Sequence, residues 1–187
     1  MKRIKFSQKH FKKRVNLSFF WYNDFGEFMK KKYLIITFVF FFIDLISKLV
    51  LSKVLELGKS IKVIKNFLYI TLCHNDGAAF SILRDKQILL IIITVIALFF
   101  IYKMMNKEDL SKYDSFAFSM ITGGILGNLL DRIAYNYVID FIDFKIFGYD
   151  FPVFNLADTF IVIGVILLII KTIKESINEL RSKRKWY

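Results

Sequence analysis

Apolar residues in this 187-residue chain fall into four long blocks divided by polar connections. The blocks run from Tyr33 to Leu55, Gln87 to Met105, Ser115 to Leu130 and Phe154 to Ile170. A helix that crosses hydrocarbon needs about 20 mainly apolar residues. The second block, QILLIIITVIALFFIYKMM, reaches that length directly; the third and fourth reach it if their polar ends lie at the interface. The first block is broken by Asp44 and Lys48, which are four apart and so share one helix face with the acid N-terminal to the base. The pattern predicts four transmembrane helices.

The connections read differently. Between the first two blocks, IKVIKNFLYITL is rich in β-branched and aromatic residues with partial alternation, as strands are. Asn75-Asp76-Gly77 then signals a turn, and Ala78 and Ala79 leave room for another backbone to approach. Tyr135 to Val153 also alternates, and the sole proline, Pro152, punctuates it before the fourth block. Two strand-bearing segments therefore lie on the same side of an all-α membrane core. Inside the third block, Ser119, Gly123 and Gly127 repeat at four-residue spacing, which lets a neighbouring helix come close.

Composition fits this picture: 56% of residues are hydrophobic, more than ordinary soluble domains carry. The net charge of +12 could suit nucleic acid, but its distribution argues against that. Basic residues gather before Tyr33, in the second connection (Lys103, Lys107, Lys112) and in the tail beyond Lys171. With four spans, all three groups fall on one side, which predicts both termini in the cytoplasm and the strand-bearing segments outside. The basic ends would also meet anionic membrane lipids. Three regions are expected: a basic and aromatic extension over 1–28, a four-span domain over 29–175, and a basic tail over 176–187. Met29, followed by three lysines and an apolar run, would also serve as a natural start, so residues 1–28 read either as a membrane-surface extension or as residues upstream of that start.

The single cysteine, Cys73, excludes an internal disulfide and reads as a small buried hydrophobe. The only histidines, His10 and His74, are far apart in sequence, which argues against a zinc site or a histidine-dependent triad. Acids are left to carry chemistry. Two carboxylates held close cannot both ionise, so one acts as general base while the other donates a proton. The acids near the predicted outer face are Asp131, Asp140, Asp143, Asp150 and Asp158. Asp131 shares a helix face with Asn128 and Arg132, which favours a fixed structural carboxylate. Asp150 sits in a Gly-Tyr-Asp-Phe loop and is expected to be exposed. Asp158 lies three residues after Asn155 at the start of the fourth span and needs a partner. Asp140 and Asp143 would point to opposite faces of a strand, so only one of them can meet Asp158, and periodicity does not say which. Asp44 either pairs with a Lys48 that snorkels outward or supports the site.

Five stretches in order are distinctive: DLISK (Asp44 to Lys48), NDGAAFSIL (Asn75 to Leu83), GGILGNLLDR (Gly123 to Arg132), VIDF (Val138 to Phe141) and FPVFNLAD (Phe151 to Asp158). With them the chain resembles the lipoprotein signal peptidases, or signal peptidase II, a family of bacterial aspartic proteases. The resemblance implies that Asp140 and Asp158 are the catalytic pair. It implies supporting or substrate-binding roles for Asp44, Lys48, Asn75, Gly77, Asn128, Asp131, Arg132 and Asn155. It further implies an outer β-cradle, no metal or organic cofactor, and action as a monomer in the bacterial cytoplasmic membrane. The implied substrate is a prolipoprotein, cut just before a cysteine that carries diacylglycerol. Asp76 adds a charge within the second stretch, and residues 1–28 fall outside the resemblance. Two other classes accommodate intramembrane acids. A transporter would spread them through the bilayer depth, whereas here they gather at one face. An assembly factor built on the glycine ladder would tolerate their loss.

Overall fold

The structure is a computed structural model that describes residues 17–77, 83–105 and 110–184, with side chains described from Tyr33 onward. The expectations for Ala78 and Ala79, and for the first sixteen residues, lie outside the described residues. The chain divides into two compact units, Met1–Lys32 and Tyr33–Tyr187, and the account below concerns the second. In chain order the elements are α1 (Leu17–Val54), β1 (Ser60–Ile64), β2 (Leu68–Asn75), α2 (Gln87–Met105), α3 (Lys112–Tyr135), β3 (Val138–Ile146), β4 (Tyr149–Asp150) and α4 (Leu156–Arg184).

Among the described residues, three helices are long and apolar enough to cross a membrane: Tyr33–Val54 of α1, α2, and Leu156–Lys183 of α4. Large apolar side chains stand exposed along all three, among them Leu34, Ile43, Ile92, Phe99, Val162 and Ile169. α3 was expected as a fourth span of the same kind and does not match the other three in apolarity. The reason is its surroundings. Ser115, Ser119, Gly123, Gly124, Gly127, Asn128 and Asp131 of α3 are all buried, so this helix is lined for contact with protein rather than lipid.

The small residues of α3 and α4 let backbones meet. A Cβ on Gly123 would lie 2.7 Å from both the Phe40 Cβ and the Thr37 carbonyl of α1. A Cβ on Gly164 of α4 would lie 2.6 Å from Ile121. Gly124 faces the Ala157 carbonyl, and Gly127 faces the Asp44 carboxylate. The Ser119 hydroxyl donates to the Tyr33 carbonyl at 3.0 Å, which ties the ladder to α1 where no water is available to it.

Caps set the helix ends. Ser111 accepts from the Asp114 N–H at 3.1 Å to start α3, and Asn136, at φ 61°, ends it with its N–H on the Arg132 carbonyl. At the start of α4 the Asn155 Oδ1 accepts from the Asp158 N–H at 2.9 Å, and Asp158 Oδ2 accepts from the Asn155 N–H at 3.4 Å. That reciprocal pair is a capping box, with Asn and Asp in place of Ser/Thr and Glu.

The four strands form an antiparallel sheet in the order β1-β2-β3-β4. Ile70 pairs with Ile142 and Cys73 with Asp140, so β2 spends one more residue than β3 between these pairs. This bulge keeps Cys73 and Asp140 on the face that carries Ile70 and Ile142. Asp143 pairs with Tyr69 on the other face and accepts from the Thr71 hydroxyl at 2.6 Å.

Candidate active site

Asp140 enters the site from β3 and is 2% exposed. Two side-chain amides hold its carboxylate: Asn75 Nδ2 donates to Oδ2 at 2.9 Å, and Asn155 Nδ2 donates to Oδ1 at 2.7 Å. Asp158 enters from the first turn of α4, where the helix dipole favours negative charge. Asn128 Nδ2 of α3 donates to its Oδ1 at 2.8 Å. Asn75, Asn128, Asp140 and Asp158 line one cavity of about 800 Å³, together with Arg132 and Pro152. Burial first, and the neighbouring Asp158 charge second, push the Asp140 carboxyl up to about 7.

Behind this pair lies a buried charge cluster. Lys48 Nζ reaches Asp44 Oδ2 at 2.7 Å, Asp131 Oδ2 at 2.9 Å and Asn128 Oδ1 at 2.9 Å. Asp44 Oδ1 also accepts the Ala157 N–H at 2.8 Å, which caps the start of α4 from α1. Asp131 Oδ2 accepts the Ile139 N–H at 3.1 Å, which fixes the residue just before Asp140. One cation and two carboxylates thus join α1, α3, α4 and β3. Buried charges cost several kcal/mol each unless paired and hydrogen-bonded; here all three are paired and each makes a hydrogen bond, while Asp44 Oδ2 has the ion pair alone.

The Lys48 snorkel weighed as one reading of the sequence is corrected: Lys48 is 1% exposed and turns inward to Asp131. Spacing of four permits the Asp44 pair but is silent about a third partner from another helix. Asp131 is buried, with its Oδ2 shared between Lys48 and the Ile139 N–H. Arg132 bridges to the turn, with Nη2 on the Gly77 carbonyl at 3.2 Å. Gly77 in turn donates its N–H to Asn75 Oδ1 at 3.0 Å, and this orients the Asn75 amide toward Asp140. Asp150 is exposed and pairs with Lys145 at 3.0 Å, away from the cavity lining.

Sequence reasoning missed that Asn155 and Asp158 form a capping box; the Asn-x-x-Asp spacing before an apolar run was its signal. It also missed His74, which lines the cavity and stacks on Tyr137 with ring centroids 3.8 Å apart. Cys73 lies beside Asp140 at the cavity wall. Burial, then the Asp140 and Asp143 charges, push its thiol up, so it offers little thiolate. Among the described residues, no three His, Cys, Asp or Glu side chains converge as metal ligands would.

Residues 36–174 match the family model described as signal peptidase (SPase) II. The lipoprotein signal peptidase of Staphylococcus aureus strain bovine RF122 / ET3-1 is 42% identical over 158 residues, covering 81% of this chain and 96% of that protein. The same enzyme from strain JH9 shows the same identity and coverage. A solved structure described as a bacterial membrane enzyme, obtained by the in meso method at 2.3 Å resolution, superposes with a TM-score of 0.73. It is 38% identical, covering 79% of this chain and 91% of that one. A second, at 1.9 Å resolution, gives a TM-score of 0.69 at 39% identity, covering 77% of this chain and 94% of that one. With a family match across most of the apolar core and relatives matched over nearly their full length, the chain belongs to the signal peptidase II family of membrane peptidases.

Proposed function

We propose that this peptidase removes signal peptides from diacylglyceryl-modified prolipoproteins, cutting before the lipidated cysteine, with Asp140 and Asp158 as its acid/base pair. The observation that carries the proposal is the convergence of these two carboxylates, one from β3 and one from α4, on a single cavity. A proton shared by the pair resides on Asp140, whose carboxyl holds it up to about pH 7. Asp158 takes a proton from water as the water oxygen bonds to the scissile carbonyl carbon. Asp140 gives its proton to the carbonyl oxygen. When the tetrahedral intermediate collapses, the C–N bond breaks and a proton passes to the leaving amine of the lipidated cysteine. The signal peptide leaves with a new carboxyl group.

Ile161, Val162 and Ile163 of α4 line the same cavity. They support a place for the diacylglyceryl chains beside the two aspartates. The basic ends of the chain support an orientation with both termini cytoplasmic, α3 as a fourth crossing enclosed by the other helices, and the site at the outer face. In this proposal the four-span part, 29–175, acts as a monomer in the cytoplasmic membrane and needs no cofactor.

The test is cleavage of a diacylglyceryl-prolipoprotein by membranes that carry Asp140→Asn or Asp158→Asn at native abundance. Both variants are expected to lose at least about 100-fold in rate, the usual scale for a lost general acid or base. Near-native cleavage by either one would overturn the assignment.

A further inference from the structure

We infer that Lys48 is a positioning residue for Asp158: its ammonium fixes the Asn128 side-chain amide so that the amide nitrogen, and not the oxygen, faces the Asp158 carboxylate. This rests on the reading of Asp140 and Asp158 given above and adds a control element to it.

The hydrogen-bond count leaves one orientation open. An ammonium has three N–H donors and no acceptor. Lys48 gives one to Asn128 Oδ1 at 2.9 Å, and its charge is paired with Asp44 Oδ2 at 2.7 Å and Asp131 Oδ2 at 2.9 Å. Asn128 Oδ1 has two lone pairs, and the second accepts Asn155 Nδ2 at 3.0 Å. Turning the Asn128 amide over would set its NH₂ against an ammonium and a second NH₂, donor against donor. Asn128 is 7% exposed and Lys48 1%, so bulk water does not relieve such a clash. Asn128 Nδ2 therefore stays on Asp158 Oδ1, at 2.8 Å.

That orientation matters to the chemistry. An N–H held on a carboxylate favours its charged form, which is the form a base needs. With the amide inverted, an oxygen would face the Asp158 carboxylate, lone pair against lone pair. The cation thus acts on Asp158 through a neutral side chain. The other titratable and charged groups bearing on this pocket are Asp140 from β3, His74 from β2, Asp76 and Arg84 from the connection after it, Arg132 and Asp131 from α3, and Asp44 from α1. Among the described residues none of these donates a hydrogen bond to Asp158: four are carboxylates, Arg84 is paired with Asp76, and Arg132 donates to the Gly77 and Asn128 carbonyls while its Nε has no partner.

The experiment is a double-mutant cycle read as pH profiles of kcat/KM on a synthetic diacylglyceryl lipopeptide. Lys48→Met, Asn128→Ala and the double variant are compared with the native enzyme. The acid limb is expected to move up by about one pH unit in each single variant, the scale of one lost hydrogen bond to a charged group. The double variant should move no further than Asn128→Ala alone, because Lys48 acts through Asn128. A uniform drop in rate with an unmoved limb would mean that Lys48 is structural only. Shifts that add in the double variant would mean that Lys48 acts on Asp158 directly. Either result overturns the inference.

Lys48→Met leaves two buried carboxylates without their cation, so a second variant guards against its failing to fold. The charge-free variant Asp44→Asn/Lys48→Met/Asp131→Asn then carries the same comparison, since both asparagines still accept from Ala157 and Ile139. Asp158→Asn is assayed alongside. Native-rate cleavage by Asp158→Asn would overturn the site reading itself. An inactive Asp158→Asn beside unmoved limbs overturns only the role of Lys48.

Discussion

Asp140 combines two demands that oppose each other. Its carboxyl is buried beside another acid, and this raises its pKa from the ordinary 3.8 to about 7. The folded value lies above the unfolded one, so the protonated group favours the fold at acid pH. That contribution is complete below about pH 4 and is lost as pH rises through about 7. Asp140→Asn is therefore expected to be inactive yet more heat-stable than the native enzyme at pH 8. The gap should close toward pH 5, as melting curves of detergent-purified protein at the two pH values would record. Asp143 makes the contrasting case. It accepts from Thr71 on the opposite face of the sheet, so Asp143→Asn should keep cleavage within about twofold of native, as a change away from the cavity would. At this scale much was legible in the sequence. A strand period of two separates Asp140 from Asp143, and only the family resemblance said which to keep. The full partner set of Lys48 was not legible, because its second and third contacts come from a helix far away in sequence and no local spacing encodes them.

Among the elements, α3 is the least readable and the most telling. Its small-residue ladder was visible in the sequence, but its place as the enclosed helix was not. Apolarity along a chain measures how a helix would fare in lipid, and α3 faces mostly protein. Ser119, Gly123 and Gly127 lie against α1, while Gly124 lies against α4. Gly127→Ala is the sharpest probe of this packing. The added methyl group would run into the Asp44 carboxylate, which holds both Lys48 and the Ala157 N–H. A loss of about 1–3 kcal/mol in stability is expected, the usual scale for overpacking. Activity should fall further than stability alone accounts for, since the start of α4 carries Asp158. Thermal unfolding and the lipopeptide assay, run on the same preparation, separate the two effects. The bulge in β2 is the other device of this kind. The alternation in YITLCHN suggests a plain strand, and the single extra residue that turns Cys73 and Asp140 to one face leaves no mark in composition.

The candidate site forms where segments distant in sequence meet: the C-terminal half of α1, the end of α3, the start of α4 and two strands. The proposed orientation can be read directly. In a Cys73→Ala background, Phe147→Cys at the fully exposed β3–β4 turn is expected to react with a membrane-impermeant thiol reagent in intact spheroplasts. Lys183→Cys, at the far end of α4, is expected to react only after the membrane is permeabilised. The opposite labelling pattern would turn the proposed topology over. The charge distribution along the chain made this orientation legible without any structure, since it depends only on which connections carry lysine and arginine.

The pairing of Asp44 with Lys48 bears on how such an enzyme is made. α1 is synthesised before α3 and α4 exist, so it meets the membrane without Asp131 or Ala157 to receive its charges. A single charged residue at the centre of an inserting helix costs about 2.5–3.5 kcal/mol on insertion scales. Four residues apart, with the acid first, Asp44 and Lys48 can satisfy each other within the helix, so α1 can partition as a neutral segment. The pair thus serves as its own escort during biogenesis. The second carboxylate, Asp131, joins with α3 and gives the cluster its net negative charge, and α4, the last helix, then brings the Ala157 N–H to Asp44 and Asp158 to the candidate site.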